Sequence, residues 1–363
     1  MTNRIQQEIM QSWGTDNSDT PLVSVRCITY NHEPYIVQAL DGFLMQKTNF
    51  PFEVIVHDDA STDRTAEIIR EYEARFPKII KPIYETENQY SKHDGSIARI
   101  MAAACKGKYI AFCEGDDYWI DENKLQMQVD FLEGNPEYDM CYTRARQFIQ
   151  KKRTFSKTLF GKPVADFNDL LQNGNRIPTL TVMLRKSLHE RYREEIHPET
   201  KGWLMGDYPM WLYVAHESKV KFLDSVTSVY RVLEESASHS NDFAKMLVFQ
   251  KSYYEIRDFF AEEYSVEVSP YSYNEHYMYL CLECINYKEC RKIDISGLSL
   301  KFKIIRTASF VPPLFYALSM LLRIYGLLRG TIIDRATIRK TGNGGGYSLN
   351  TFDFTRSLLL EAA

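Results

Sequence analysis

The sequence predicts an α/β fold in which a mostly parallel sheet carries helices on its faces, followed by a helical C-terminal extension. Between residues 21 and 137, β-branched runs alternate four times with segments whose apolar residues recur at helical spacing. Strands and helices alternating at this length give parallel strands joined by helical crossovers. Polar clusters follow three of the strands, and in such sheets ligands bind at the carboxyl ends. A chain of 363 residues that is 44% hydrophobic has enough apolar surface for a substantial core.

The elements run in order. "PLVSVRCITYN" is a strand ending in turn residues, and "YIVQALDGFLMQ" the helix after it. "FEVIVHDDASTD" is the second strand, and "RTAEIIREYEARFP" a helix stopped by Pro77. "KIIKPIYETEN" is the third strand, "SIARIMAAACKG" a helix closed by Gly107, "KYIAFCEGDD" the fourth strand, and "NKLQMQVDFLEGNP" a helix with a Gly and Pro stop. Beyond Tyr138 the pattern loosens: "YDMCYTRARQF", "TLTVMLRKSL" and "VKFLDSVTSVYRV" read as strands, and "DYPMWLYVAHES" as a helix. Residues 241–287, rich in Tyr, Phe and Glu at helical spacing, read as a helical extension, and "TGNGGGYSLN" as a flexible tail or linker. The expected organisation is a lead (1–20), a main domain (21–240, with halves 21–137 and 138–240), an extension (241–340) and a tail (341–363).

Charge and cysteine content narrow the class. A net charge of −4 argues against a chain that binds nucleic acid over its whole surface. The average conceals an asymmetry: residues 291–340 hold ten Lys or Arg against two Asp, a local +8 that leaves −12 for the rest. The first twenty residues have no apolar core and are not a secretory signal, which reads as a cytoplasmic start. Seven cysteines, an odd number, fit reduced thiols better than a disulfide framework. Cys281, Cys284 and Cys290 with nearby His276 lack the second spaced pair usual in a zinc site, and read as small apolar residues on a helix.

The chemistry concentrates in "YIAFCEGDDYWI" (109–120), where an apolar strand ends in Glu114, Asp116 and Asp117. Carboxylates packed at a strand end repel unless a cation or hydrogen-bond donors hold them. Mg²⁺ or Mn²⁺ would resolve the repulsion, being commonly held by one or two carboxylates plus substrate phosphates. The competing reading is a solvated acidic turn that caps the next helix. In "DDASTD" (58–63), Asp63 is a candidate N-cap and Ser61 and Thr62 ordinary turn residues, whereas Asp58 and Asp59 could accept hydrogen bonds from a base or ribose. No G-x-G-x-x-G follows the first strand and no G-x-x-x-x-G-K-[ST] is present, which argues against nicotinamide dehydrogenases and P-loop enzymes.

"PLVSVRCITYNHEPYIVQAL", "FEVIVHDDASTDRT", "KGKYIAFCEGDDYW" and "GDYPMW", in that order, resemble the inverting family-two glycosyltransferases of bacterial surface-polysaccharide type, over roughly residues 21–240. The resemblance implies the GT-A (nucleotide-diphospho-sugar transferase) fold with its Rossmann-like sheet, the first half binding the donor and the second the acceptor. By it, Thr29, Tyr30, Asn31 and Glu33 line the nucleoside pocket and Asp58 and Asp59 meet the base. Glu114, Gly115 and Asp116 match the D-x-D metal motif, with Glu in place of the commoner Asp, and Asp117 its acidic follower. Asp207 matches the catalytic base, here after Gly206 rather than a second acid; a carboxylate at a helix start also reads as an N-cap. Trp203 and Trp211 beside it could stack on sugar rings or pack in the core. Arg231 corresponds to a donor-phosphate contact, His239 to a residue that approaches the metal, and Arg99 to a position facing the nucleotide; the plain readings are turn chemistry and a solvated helix face.

The resemblance further implies a nucleotide-diphosphate sugar donor, UDP-linked by expectation, and a glycan or lipid-linked hydroxyl acceptor, as in capsule or O-antigen assembly. A sugar-phosphate nucleotidyltransferase would show a glycine-rich basic loop after the first strand, which "TYNHEPY" lacks. A non-catalytic nucleotide-sugar-binding protein is the other alternative, and the full set of motif acids disfavours it. Finally, "FVPPLFYALSMLL" (310–322) is apolar for thirteen residues before Arg323, too short to span a bilayer. With cations on both sides, it reads either as a helix lying on an anionic membrane or as one packed on the main domain.

Overall fold

In the computed structural model the described residues are 4–14, 20–92, 94–233, 242–268 and 273–322, with the backbone of 346–347. Helix α1 (Gln6–Met10) buries Ile9 in the main core, and Trp13 meets Phe52 edge-on at 5.5 Å. The segment expected only as a lead is thus anchored. The four anticipated strands are β1 (Val23–Thr29), β2 (Phe52–Asp58), β3 (Ile80–Tyr84) and β4 (Tyr109–Phe112), joined by α2 (Ile36–Leu44), α3 (Thr65–Arg75) and α4 (Ser96–Ala104). β1 pairs in parallel with β2 and β4, and β2 with β3. β2 is buried at every position, as a strand covered on both faces must be.

After β4 the chain makes β5 (Tyr118–Trp119), too short to carry a periodic signal, and then α5 (Lys124–Gly134). β6 (Tyr138–Ile149) and β7 (Thr154–Phe160) follow, then α6 (Phe167–Asn173), capped by the Asp166 carboxylate on the Asp169 N–H at 2.8 Å. Of "TLTVMLRKSL", only β8 (Met183–Arg185) is a strand, and from Lys186 the chain is α7 (Lys186–Ile196). The reason lies just downstream: Leu188, Tyr192 and Ile196 recur every fourth residue and are all buried. α8 (Tyr208–Glu217) and β9 (Lys219–Val232) complete this part. The sheet runs β6-β8-β4-β1-β2-β3, with β9 parallel to β6. β8 lies antiparallel to both β4 and β6, and β5 antiparallel to β9.

The chain divides into two compact units, Met1–Phe155 with Phe160–Val232, and Ser156–Leu159 with Leu233–Ala363. In the second, α9 (Phe243–Glu263), α10 (Tyr273–Glu283), α11 (Tyr287–Cys290), α12 (Leu300–Ala308) and a helix over residues 312–322 build their own core from Met278, Cys281, Leu282, Phe302, Ile305 and Phe315. All seven cysteines are free, as reduced thiols should be. Cys281 and Cys290 are buried, His276 bonds the Tyr254 hydroxyl at 3.1 Å, and no three His, Cys, Asp or Glu residues among those described group as metal ligands. Cys281 and Cys290 thus pack in that core, whereas Cys284 is partly exposed.

One buried cation yields a pH test. Lys124 is fully buried, with Nζ donating to Gln128 Oε1 at 2.7 Å and lying 4.2 Å over the Trp119 ring. Burial pushes its amine down to about 7. The folded state therefore holds fewer protons than the unfolded chain from about pH 7 up to the unfolded lysine value near 10.4, and stability rises with pH across that window. Lys124→Met removes the dependence. Relative to the parent, the variant is expected to lose about 1.4 kcal/mol per pH unit between pH 7 and 9 in urea unfolding, whatever its offset at pH 7. Parallel curves for the two proteins would refute this.

Candidate active site at the strand ends

Three loops meet where β1, β2 and β4 end. Asp59 N–H donates to the Thr29 carbonyl at 3.0 Å and Gly115 N–H to the Ile28 carbonyl at 2.9 Å, so the loop after β1 lies between the other two. Gly115 is required by this closeness: a Cβ there would lie 2.6 Å from Thr29 Oγ1 and 3.0 Å from His32 Nδ1.

The loops after β1 and β2 are laced together by side chains. Asn31 N–H donates to Ser61 Oγ at 2.9 Å, and Thr62 N–H to Asn31 Oδ1 at 2.8 Å. Glu33 N–H donates to Asp63 Oδ2 at 3.0 Å, and Arg64 N–H to Glu33 Oε2 at 3.2 Å. Asp63 also accepts the Thr65 N–H at 2.9 Å, but it is not the N-cap expected of it: the N-cap of α3 is Arg64, and Asp63 closes the turn one position earlier. Asn31 and Glu33 thus fix the two loops to each other, and Asn31 adopts the left-handed φ of 54° that asparagine tolerates. Asp59 uses both oxygens locally, accepting Gln89 N–H at 2.6 Å and Tyr90 N–H at 3.0 Å. Three buried polar atoms at this edge have no partner: Thr29 Oγ1, Asp58 Oδ1 and His32 Nδ1. Buried polar atoms are ordinarily satisfied, so orphans gathered at one strand edge point to a missing partner. Tyr30 is 43% exposed beside them, its ring available for stacking.

At the end of β4 the acids crowd. Glu114 and Asp116 keep part of their surface open, whereas Asp117 is buried. Burial, then the Asp116 charge, and more weakly that of Asp207, push Glu114 up to about 7 against the pull of Arg26. Asp117 is likewise driven well above the usual carboxylate range by burial, then by Asp116 and Glu114. His32 is lowered by burial although Asp116 and Asp63 pull it the other way. Carboxylate oxygens with surplus negative charge are the kind of donor a hard divalent cation takes together with substrate phosphates, although among the described residues no third acid, His or Cys groups with two of them as a ligand set. Glu114 and Asp116 are the members still accessible to one. Asp117 departs from the expected ligand role, because its Oδ1 accepts the Arg231 N–H at 2.7 Å and ties β9 to this loop.

Asp207 stands at the start of α8. Its Oδ1 accepts the Tyr208 N–H at 2.7 Å, and its Oδ2 accepts from Thr179 Oγ1 at 2.8 Å and Asn175 Nδ2 at 3.2 Å. The N-cap reading is therefore correct as structure, and the carboxylate, half-buried, is also held in one orientation. Trp211 is buried against Phe112 at 5.7 Å and packs in the core; Trp203 is half-exposed.

Two arginines depart from expectation. Arg231 is buried, its guanidinium donating to Gln38 and Gln150 and lying 4.8 Å over Tyr118 and 5.0 Å over Tyr35, so it clamps the loop from within. Arg99 donates to the Asp94 carbonyl at 2.5 Å and Ser96 Oγ at 2.9 Å, closing the turn before α4. His239 lies outside the described residues. The residue sequence reasoning passed over is His32, whose signal was its place in "TYNHE" between two residues already singled out.

Residues 24–192 match the family described as Glycosyl transferase family 2. Among curated relatives, the uncharacterized protein Rv1520 of Mycobacterium tuberculosis is 48% identical over 124 residues, 34% of this chain and 35% of that protein, so the chain spans about a third of its length. An Escherichia coli protein named UDP-Glc:alpha-D-GlcNAc-diphosphoundecaprenol beta-1,3-glucosyltransferase WfaP is 26% identical over 62% of this chain and 83% of its own length. Among solved structures, the mannosyltransferase PcManGT of Pyrobaculum calidifontis, in complex with GDP-Man and Mn²⁺, superposes with a TM-score of 0.50 at 15% identity, covering 85% of this chain and 89% of that one. At that identity the likeness speaks to the fold, which is GT-A.

Proposed function

We propose, from the premise that residues 24–192 make up a glycosyltransferase family 2 domain, that the protein is an inverting, metal-dependent enzyme moving a sugar from a UDP-linked donor to a hydroxyl of a lipid-linked glycan. The observation that carries the reading is the crowding of Glu114 and Asp116 at the end of β4, within the field of Asp207 at the start of α8. Such a cluster is costly unless a cation or hydrogen-bond donors hold it, and a cation with a departing diphosphate would complete it. Glu114 and Asp116 would hold Mg²⁺ or Mn²⁺, which when bound supplies charge neutralisation for the diphosphate. Thr29, Tyr30, Asp58 and Asp59 border the space for the nucleoside, with Asn31 and Glu33 fixing their loops.

Asp207 then acts as general base. As the acceptor oxygen bonds to the anomeric carbon, its proton passes to an Asp207 oxygen and the bond to the donor phosphate breaks on the opposite face, which inverts the centre. The two donors on Oδ2 keep that carboxylate aimed while leaving Oδ1, among the described residues, with only the Tyr208 N–H. The lipid-linked acceptor is taken from the WfaP resemblance, and it would bring the basic segment 291–340 to a membrane surface.

Calorimetric titration with UDP, GDP, CDP and ADP, each with Mn²⁺ and with EDTA, tests the reading. UDP is expected to bind in the presence of metal and to weaken at least tenfold in EDTA, as roughly expected when one charged contact is lost. Binding of no diphosphate, or binding indifferent to metal, would remove its chemical basis.

A further inference from the structure

Seven of the thirteen exposed large apolar side chains among the described residues lie between 300 and 321: Leu300, Ile304, Phe310, Val311, Leu314, Tyr316 and Leu321. They are not the packing face of their helices. Phe302, Ile305, Ala308 and Phe315 are buried in the core of the second unit, and Ser319 Oγ donates to the Leu282 carbonyl at 2.7 Å. The helices thus already have a satisfied inner face, and the apolar residues form a second, outer one.

The chemistry of that outer face is unusual for a surface in water. The helix over 312–322 has no charged residue, so its exposed side is Pro312, Pro313, Leu314, Tyr316, Ala317 and Leu321. Cations border it. Arg291 and Arg306 lie 5.1 Å and 5.4 Å over the Phe310 ring, Lys303 is exposed nearby in sequence, and Lys292, also exposed, is paired with Glu289 at 2.5 Å. Residues 291–322 carry five cations against one acid, Asp294. An uncharged apolar strip rimmed by cations matches a bilayer interface, with acyl chains for the strip and anionic headgroups for the rim. No helix among the described residues is long and apolar enough to cross a membrane, so the contact is with one leaflet.

We infer that Phe310, Val311, Leu314 and Leu321 enter the headgroup region of an anionic membrane, with Lys303 meeting the lipid phosphates. This rests on the membrane reading of the basic segment, and it stands apart from donor chemistry. A second copy of the chain is the rival occupant, and a dimer seam would not explain the cationic rim, since two copies would bring like charges together.

The test is sedimentation of the full chain with vesicles of phosphatidylglycerol and phosphatidylethanolamine, against phosphatidylcholine alone. Binding is expected to the anionic vesicles only, to weaken with salt, and to fall about tenfold or more in Leu314→Glu/Leu321→Glu. Leu314→Trp provides a readout free of folding effects: its emission should shift to the blue on adding anionic vesicles and stay unchanged with phosphatidylcholine. An unshifted tryptophan, equal binding by parent and double variant, or a dimer that the double variant dissociates would each overturn the proposal. UDP titration of the same samples separates this outcome from that of the transferase reading, because the apolar strip can fail while donor binding persists, and the reverse.

Discussion

Asp207→Asn is expected to lower the rate of sugar transfer by about 10³-fold while leaving donor binding within a factor of about two. The size follows from what the change removes. An amide keeps the oxygen that caps α8 on the Tyr208 N–H, so the helix start survives. What disappears is the basic lone pair that receives the acceptor proton, and general-base catalysis contributes about 10²–10⁴. The new NH₂ would face the Asn175 amide and the Thr179 hydroxyl, both now donors to Oδ2. A small stability loss, on the order of 1 kcal/mol, should accompany the kinetic one. The two readings of Asp207 then separate. A residue that is only a cap would show the stability loss with unchanged kcat, whereas a base shows a collapse of kcat with UDP affinity preserved.

The strands and helices between residues 21 and 137 were legible because the strands are β-branched runs and the helices repeat an apolar period long enough to register. β1 to β4 and α2 to α5 fall where alternating and helical spacing place them. β5 has two residues and β8 three, below the length at which either period can be recognised, and α7 was hidden because β8 runs straight into it with no capping side chain at Arg185 to mark a helix start. At the site, residue type located the acids but not how each is used. Asn31 and Glu33 lie in the right loop yet spend themselves on Ser61, Thr62, Asp63 and Arg64, partners about thirty positions away that no local pattern reveals. Arg231 is the stronger case. Its buried seat beside Gln38, 193 positions away, turns an expected phosphate ligand into a clamp. A basic residue in a loop carries no sign in sequence of whether it faces ligand or core.

Glu114 and Asp116 should respond to mutation in opposite ways for stability and for binding. Asp116→Ala is expected to abolish metal-dependent UDP binding, a loss of at least about 10²-fold, because Asp117 faces inward and leaves only Glu114 to hold the cation. In the same variant the repulsion that raises Glu114 and Asp117 is relieved, so the protein without metal should be more stable than the parent. The pH dependence fixes the sign. Glu114 is held near 7 when folded, against about 4.3 in an unfolded chain, so the folded state retains a proton between those values and stability falls as pH rises through that window. Glu114→Gln removes the titrating group, and its advantage over the parent in denaturant unfolding should grow from about pH 4.3 to about 7 and level off above that when metal is chelated. Added Mn²⁺ and UDP should erase the advantage, since the parent then gains a cation that the amide holds poorly. A Glu114→Gln protein less stable than the parent at pH 8 in EDTA would mean that the acids are satisfied by protein donors alone. That result would deprive the site of its need for a cation, and with it the reason for reading this strand end as a place where a diphosphate departs.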